Sequence, residues 1–166
     1  MKNFVLLLSI VTFLMFSSCS EENEIEPDVD VNNSDDAVTA IINTEQFEML
    51  SGDWVLNTIN LSSGTELTPP SLVSISFSKE ESDTVTYELN GVSTCNLYGG
   101  ELLSLNNDKI SFEELYSTDQ LCEEELNNFE ATYFELLYRS ERYTINNDQL
   151  ILFIEDGVSI NFERSN

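Results

Sequence analysis

Val73-Ser74-Ile75-Ser76-Phe77-Ser78 alternates apolar and hydroxyl side chains with a period of two. An extended chain puts successive side chains on opposite faces, so this stretch buries three large groups and wets three small ones. It reads as a half-buried β-strand, and the chain from about Phe47 onward repeats the theme. Val85, Tyr87 and Leu89 alternate in the same way up to Asn90-Gly91, a dipeptide typical of two-residue hairpin turns. Ile110 and Phe112 mark a further strand. Tyr143 and Ile145 mark another, ended by Asn146-Asn147-Asp148. An almost unbroken apolar run from Leu150 to Ile154 follows, and Asp156-Gly157 turns it into Val158, Ile160 and Phe162. Upstream, Trp54, Leu56 and Ile59 suggest an opening strand after Gly52. Between Ser62 and Pro70 the chain is rich in Ser, Thr, Gly and Pro, and Pro69-Pro70 argues for an irregular loop.

One segment has the periodicity of a long helix. Ser117 and Gln120 fit a capping box. Beyond them Cys122, Leu126, Phe129, Tyr133 and Leu136/Leu137 recur three or four apart on one face. Glu123, Glu124, Glu125 and Glu130 are assigned to the solvated side. The expected fold class is α+β: a curved antiparallel sheet or partly open barrel of about seven or eight strands, covered by one main helix.

Composition limits the function. The 166 residues carry 6 Lys+Arg against 31 Asp+Glu and no His, for a net charge of -25. Apolar residues make up 41% of the chain, enough for a core. Nucleic-acid binding is excluded as an expectation, because it needs Lys and Arg to displace counterions from phosphates. Without His there is no Ser-His-Asp triad and no His-ligated zinc. Glu113-Glu114 is the tempting carboxylate pair, but neighbours on a strand point to opposite faces and cannot share a site. Asp28-Val29-Asp30-Val31-Asn32 imitates the start of a calcium-binding EF-hand loop. The loop's required Gly and bidentate Glu are replaced by Asn33 and Thr39, so it is discarded. No catalytic residue, no metal and no cofactor are expected.

The N-terminus reads as an address. After Lys2, 11 of the 13 residues from Phe4 to Phe16 are apolar, which suits a signal peptide and is too short to span a bilayer as a helix. Phe16-Ser17-Ser18-Cys19 resembles a bacterial lipobox, in which the cysteine becomes lipid-modified and N-terminal. The alternative is a plain secretory signal with a cysteine near its end. The expected organisation is residues 1–18 as lipoprotein signal peptide, 19–46 as an acidic disordered tether, and 47–166 as the folded domain. Ser20 to Asp36 holds eight acids and no basic or aromatic residue, so self-repulsion favours an extended spacer. Ser20-Glu21-Glu22 resembles the export signals of Bacteroidota surface lipoproteins. The alternative is a solvated spacer with no address value, so a protein anchored to the outer membrane through Cys19 is expected, with its domain facing either the cell surface or the periplasm.

Once Cys19 is set aside, Cys95 and Cys122 remain as a pair in a compartment where disulfides persist. A bridge between a mid-sheet strand and the helix start is expected; the alternative is two buried thiols.

Around these cysteines the chain resembles a known family. Thr94-Cys95-Asn96-Leu97-Tyr98-Gly99-Gly100, Lys109-Ile110-Ser111-Phe112 and Ser117-Thr118-Asp119-Gln120-Leu121-Cys122 look like segments of the META domain, the HslJ-like family. Gly52-Asp53-Trp54-Val55-Leu56 is similar to its opening, and Tyr143-Thr144-Ile145 and Leu150-Ile151-Leu152 to its closing strands. Thr94 stands where the family has Gly, and Leu121 where it has a small residue. The resemblance spans about residues 50–164. It implies a small bacterial envelope protein loosely tied to stress tolerance, with no transferable catalytic residue. Trp54, Asn96, Gly99, Gly100 and Thr118 are the motif residues, and a structural role is expected of them. Asn96 should bond nearby backbone, and Gly99-Gly100 should permit a bulge or a close chain approach. The expected function is a non-enzymatic, membrane-anchored lipoprotein acting as a structural, stress-related or interaction module with a protein or small-molecule partner. A lipocalin-like small-molecule binder and a surface protease inhibitor presenting the Ser62–Pro70 loop are the alternatives.

Overall fold

The computed structural model describes residues 40–113 and 115–165. The signal segment, Cys19, the acidic run after it and the EF-hand-like stretch lie outside the described residues. In chain order the elements are β1 (Ile41–Ile42), α1 (Thr44–Leu50), β2 (Gly52–Asn60), β3 (Glu66–Leu67), β4 (Ser74–Glu81), β5 (Val85–Val92), β6 (Leu97–Asn106), β7 (Lys109–Phe112), β8 (Tyr116–Ser117), α2 (Glu124–Tyr138), β9 (Arg142–Asn146), β10 (Gln149–Phe153) and β11 (Ser159–Arg164).

Eight of the strands close into an antiparallel barrel in the order β6-β5-β4-β2-β11-β10-β9-β7 and back to β6. Closure gives each of these strands a neighbour on both sides, which limits the exposed backbone edge. The seam is narrow: β7 and β9 meet at a single register pair, Lys109 opposite Arg142. The alternating residues supply the core. Trp54, Ile59, Ile75, Phe77, Leu105, Leu152 and Phe162 are fully buried with their neighbours in one cluster. The fold is the expected α+β sheet-plus-helix, with the sheet closed rather than partly open.

Several local expectations change. Residues 41–46, placed in the tether, belong to the folded body. β1 adds to β6 in parallel, and α1 is capped by Asn43, whose side chain accepts from Gln46 N at 3.0 Å. Phe47 and Leu50 of α1 are buried, and the Leu50 carbonyl accepts from Trp54 Nε1 at 2.7 Å. Asn90-Gly91 is not a turn. It continues β5 opposite Ser76 and Ile75, and the β5–β6 connection is Ser93–Asn96. Glycine is needed at 91 because a Cβ there would strike the Ser74 carbonyl oxygen and the Tyr98 ring. Within the Ser62–Pro70 loop, Glu66–Leu67 forms a two-residue strand on β2, ahead of the prolines.

The helix also starts later than its capping-box signal suggests. Ser117 is spent in β8 opposite Tyr98, and α2 begins at Glu124 without a side-chain cap. Cys122 therefore precedes the helix, and Cys95 lies in the β5–β6 connection rather than on a strand. Glu123, Glu124 and Glu125 are exposed as expected, but Glu130 is buried with Tyr133, Leu136 and Leu137.

Candidate functional site

The β5–β6 connection, Ser93-Thr94-Cys95-Asn96, turns the chain over the first half of α2. Ser93, Thr94 and Asn96 are buried, so their polar atoms need partners. Glu130 reaches into the connection from α2. Its carboxylate accepts from Ser93 Oγ, from Asn96 N at 2.9 Å, from Cys95 N at 3.3 Å and from Asn96 Nδ2 at 2.6 Å. Thr94 Oγ1 donates to the Leu126 carbonyl at 2.8 Å. On its other side, Asn96 Oδ1 accepts from Thr118 Oγ1 and from Gln120 N, both at 2.8 Å. Leu97 N donates back to Thr118 Oγ1 at 3.2 Å. A disulfide between Cys95 and Cys122, Cα atoms 6.1 Å apart, closes the same region.

This clasp joins three parts of the chain that local structure does not connect: the β5–β6 turn, the approach to α2, and α2 itself. An ionised carboxylate only accepts; three of the four donors converge on Oε2 and one, Asn96 Nδ2, reaches Oε1. Burial alone pushes the Glu130 carboxyl up. The hydrogen bonds from Ser93, Asn96 and Cys95 outweigh that and hold it below the usual glutamate value. Structurally the arrangement is a lock, since the carboxylate ties the Ser93–Asn96 connection to α2.

The sequence motif residues fall into separate places. Asn96 and Thr118 lie in the clasp, although Asn96 bonds across to Thr118, Gln120 and Glu130 as well as within its own turn. Gly99, in β6, allows a close approach: a Cβ there would sit 2.5 Å from the Tyr116 hydroxyl oxygen. Gly100 is buried opposite Leu89. Trp54 is distant in role, buried in β2 with the Arg164 guanidinium 4.1 Å over its ring. Glu130 was missed. It stands four residues after Leu126 and three before Tyr133, so the helical period does place it on the apolar face.

Beside the clasp runs an aromatic ledge. Tyr98 and Tyr133 are buried, with their hydroxyls 2.6 Å apart and the Tyr98 hydroxyl donating onward to the Ser74 carbonyl at 2.9 Å. Outside them, Leu97 (56% exposed), Tyr116 (66%) and Tyr138 (59%) stay in solvent. A cleft of about 290 Å³ opens between Leu115, Tyr116, Phe134 and Tyr138.

A filled eight-stranded barrel, closed on itself and locked to one long helix by a carboxylate clasp and a disulfide, defines a small α+β barrel domain. The profile of the META domain matches residues 47–166, and the chain belongs to that family. Among solved structures, an NMR structure of a protein from Burkholderia xenovorans is similar at a TM-score of 0.61 and 22% identity, covering 90% of this chain and 99% of that one. A second NMR structure is similar at a TM-score of 0.48 and 23% identity, covering 68% of this chain and 88% of that one. The first likeness supports the fold alone. No curated protein matches the sequence.

Proposed function

We propose that this META-domain protein is a non-enzymatic envelope lipoprotein, anchored to the bacterial outer membrane through Cys19, whose barrel serves as an interaction module. The observation that carries the reading is how the molecule distributes its chemistry. The buried polar side chains of the clasp are satisfied by one another, while large apolar groups are left in water at Leu97, Tyr116 and Tyr138. Exposed apolar clusters of this kind mark contact surfaces. The core residues Trp54, Phe77, Leu105, Leu152 and Phe162 occupy the space in which a lipocalin-like protein would hold its ligand, which disfavours that alternative.

The anchor and the surface are tested separately. Cells given a clickable fatty acid should label the parent chain and not the Cys19→Ala variant; equal labelling of both would remove the anchor from the proposal. Cross-linking in the native envelope should give adducts of the parent that Leu97→Ser/Tyr116→Ser loses. Adducts unchanged in that variant would show that the ledge is not the contact surface.

A further inference from the structure

The chain has only six Lys and Arg, and three of them, Lys109, Arg139 and Arg142, line one surface cleft of about 610 Å³ at the β7–β9 seam. Two of the three carry the argument. Ile110 N donates to the Glu141 carbonyl at 3.0 Å and Tyr143 N to the Asp108 carbonyl at 2.8 Å. Those bonds flank Lys109 and Arg142, which makes the two a non-hydrogen-bonded register pair. In such a pair the Cα atoms are about 4.5 Å apart and the side chains leave the same face side by side, the closest cross-strand arrangement available. Like charges placed directly opposite each other oppose folding. A chain with 31 acids nevertheless puts two cations there.

The other described cations are engaged. Lys79 pairs with Glu81, Arg139 with Glu135, and Arg164 donates to the Ser51 and Met49 carbonyls. Among the described residues, Lys109 and Arg142 have neither an ion pair nor a side-chain hydrogen bond; Arg142 lies 5.5 Å from the centre of the Phe153 ring. Hydroxyls line the same cleft. Ser104 and Ser111 are hydrogen-bonded to each other at 2.7 Å, so one of the two keeps an O–H to donate elsewhere. Tyr138 adds an exposed aromatic ring to the wall, while Glu141 and Glu155 stand at the cleft as well.

We propose that this cleft binds a small organic anion, its carboxylate or phosphate held between the Lys109 ammonium and the Arg142 guanidinium, with its apolar part against Tyr138. The anion would turn the repulsive pair into two charge-assisted contacts, which are the stronger class of hydrogen bond. Glu141 and Glu155 repel extended polyanions, so the site suits a small ligand rather than a nucleic acid.

The test uses the full chain, titrated at constant ionic strength with phenyl phosphate, with benzoate and with inorganic phosphate, and followed by amide NMR shifts and calorimetry. Saturable shifts centred on Lys109, Ile110 and Arg142 are expected for at least one of the two aromatic anions. Binding should weaken at least tenfold in Lys109→Gln/Arg142→Gln and be unchanged in Lys79→Gln. Binding by phenyl phosphate alone assigns a phosphate headgroup, and by benzoate alone a carboxylate. Inorganic phosphate matching phenyl phosphate would overturn the role given to Tyr138. Unsaturable shifts, shifts centred on Lys79 or Arg164, or equal binding by the double variant would overturn the site. Both substituted side chains are exposed, and an unchanged urea midpoint confirms that the double variant is folded.

Discussion

At the β5–β6 connection one carboxylate is buried among four donors, whereas at the β7–β9 seam two exposed cations face each other with no described counter-ion. Glu130 is an acid in a chain already overloaded with acids, yet it has more partners than any cation among the described residues. The difference follows from burial. A charge removed from water must be satisfied by the protein or it opposes folding strongly, while an exposed charge keeps its hydration and can be left unpaired at small cost. The clasp is therefore where stability should be sensitive, and the seam is where substitution should change binding with little effect on folding.

Removing the covalent half of the clasp should have the largest effect. Cys95→Ser/Cys122→Ser frees a loop with a sequence separation of 27, for which chain entropy gives about 3–4 kcal/mol. Urea unfolding of the oxidised parent against the double variant measures it. A loss under 1 kcal/mol would mean that the hydrogen bonds hold the region without the bridge.

Glu130 should come next. Glu130→Ala leaves Cys95 N and Asn96 Nδ2 without an acceptor and removes one from Ser93 Oγ and Asn96 N, and should lose about 3 kcal/mol; Glu130→Gln keeps an acceptor and should lose about half of that. The pH dependence has a definite sign. The folded carboxyl sits below its ordinary value, so on acidification the unfolded chain takes up the proton first. The stabilisation is present above the ordinary glutamate range and is lost as pH falls through the folded pKa. Melts of the parent and Glu130→Gln should converge as the buffer is taken down that range. Parallel curves would mean that the carboxylate is not the group held by the donors.

Gly91→Ala tests whether the strand position is steric. Overpacking against the Ser74 carbonyl and the Tyr98 ring should cost about 2 kcal/mol. The smallest effect belongs to the seam, where Lys109→Glu replaces a repulsive pair by an attractive one and should raise stability by about 0.5 kcal/mol. A loss of stability there would show that Lys109 already has a stabilising partner, and the contrast between the two regions would fail.

Much of the barrel could be read from period-two alternation. The stretches around Ile75, Tyr87, Ile110, Tyr143 and Ile160 all became strands, because alternation is imposed by the pleat itself and needs no knowledge of the neighbours; the continuous apolar run from Leu150 became a strand as well. The pairing of Cys95 with Cys122 was legible in the cysteine parity once Cys19 is set aside. Turns and caps transferred poorly. Asn90-Gly91 carries a hairpin signal, but the glycine is there to admit the Tyr98 ring. Ser117 and Gln120 have the spacing of a capping box, but the serine is spent on β8.

What the sequence determined by itself is the alphabet of elements: which segments alternate, which one has helical spacing, which cysteines can pair, and that a chain without His carries no His-based triad and no His-ligated zinc. Those features depend on residues within a turn or a strand of one another. Only the tertiary structure decided that the sheet closes, that Glu130 is held by the Ser93–Asn96 connection, and that Lys109 meets Arg142. Glu130 lies 34 to 37 positions from the residues that hold it, and Lys109 reaches Arg142 only when the barrel closes. A charge is read locally as exposed because desolvation is costly. The donors that reverse that cost are supplied by another part of the chain, and no local pattern records their arrival.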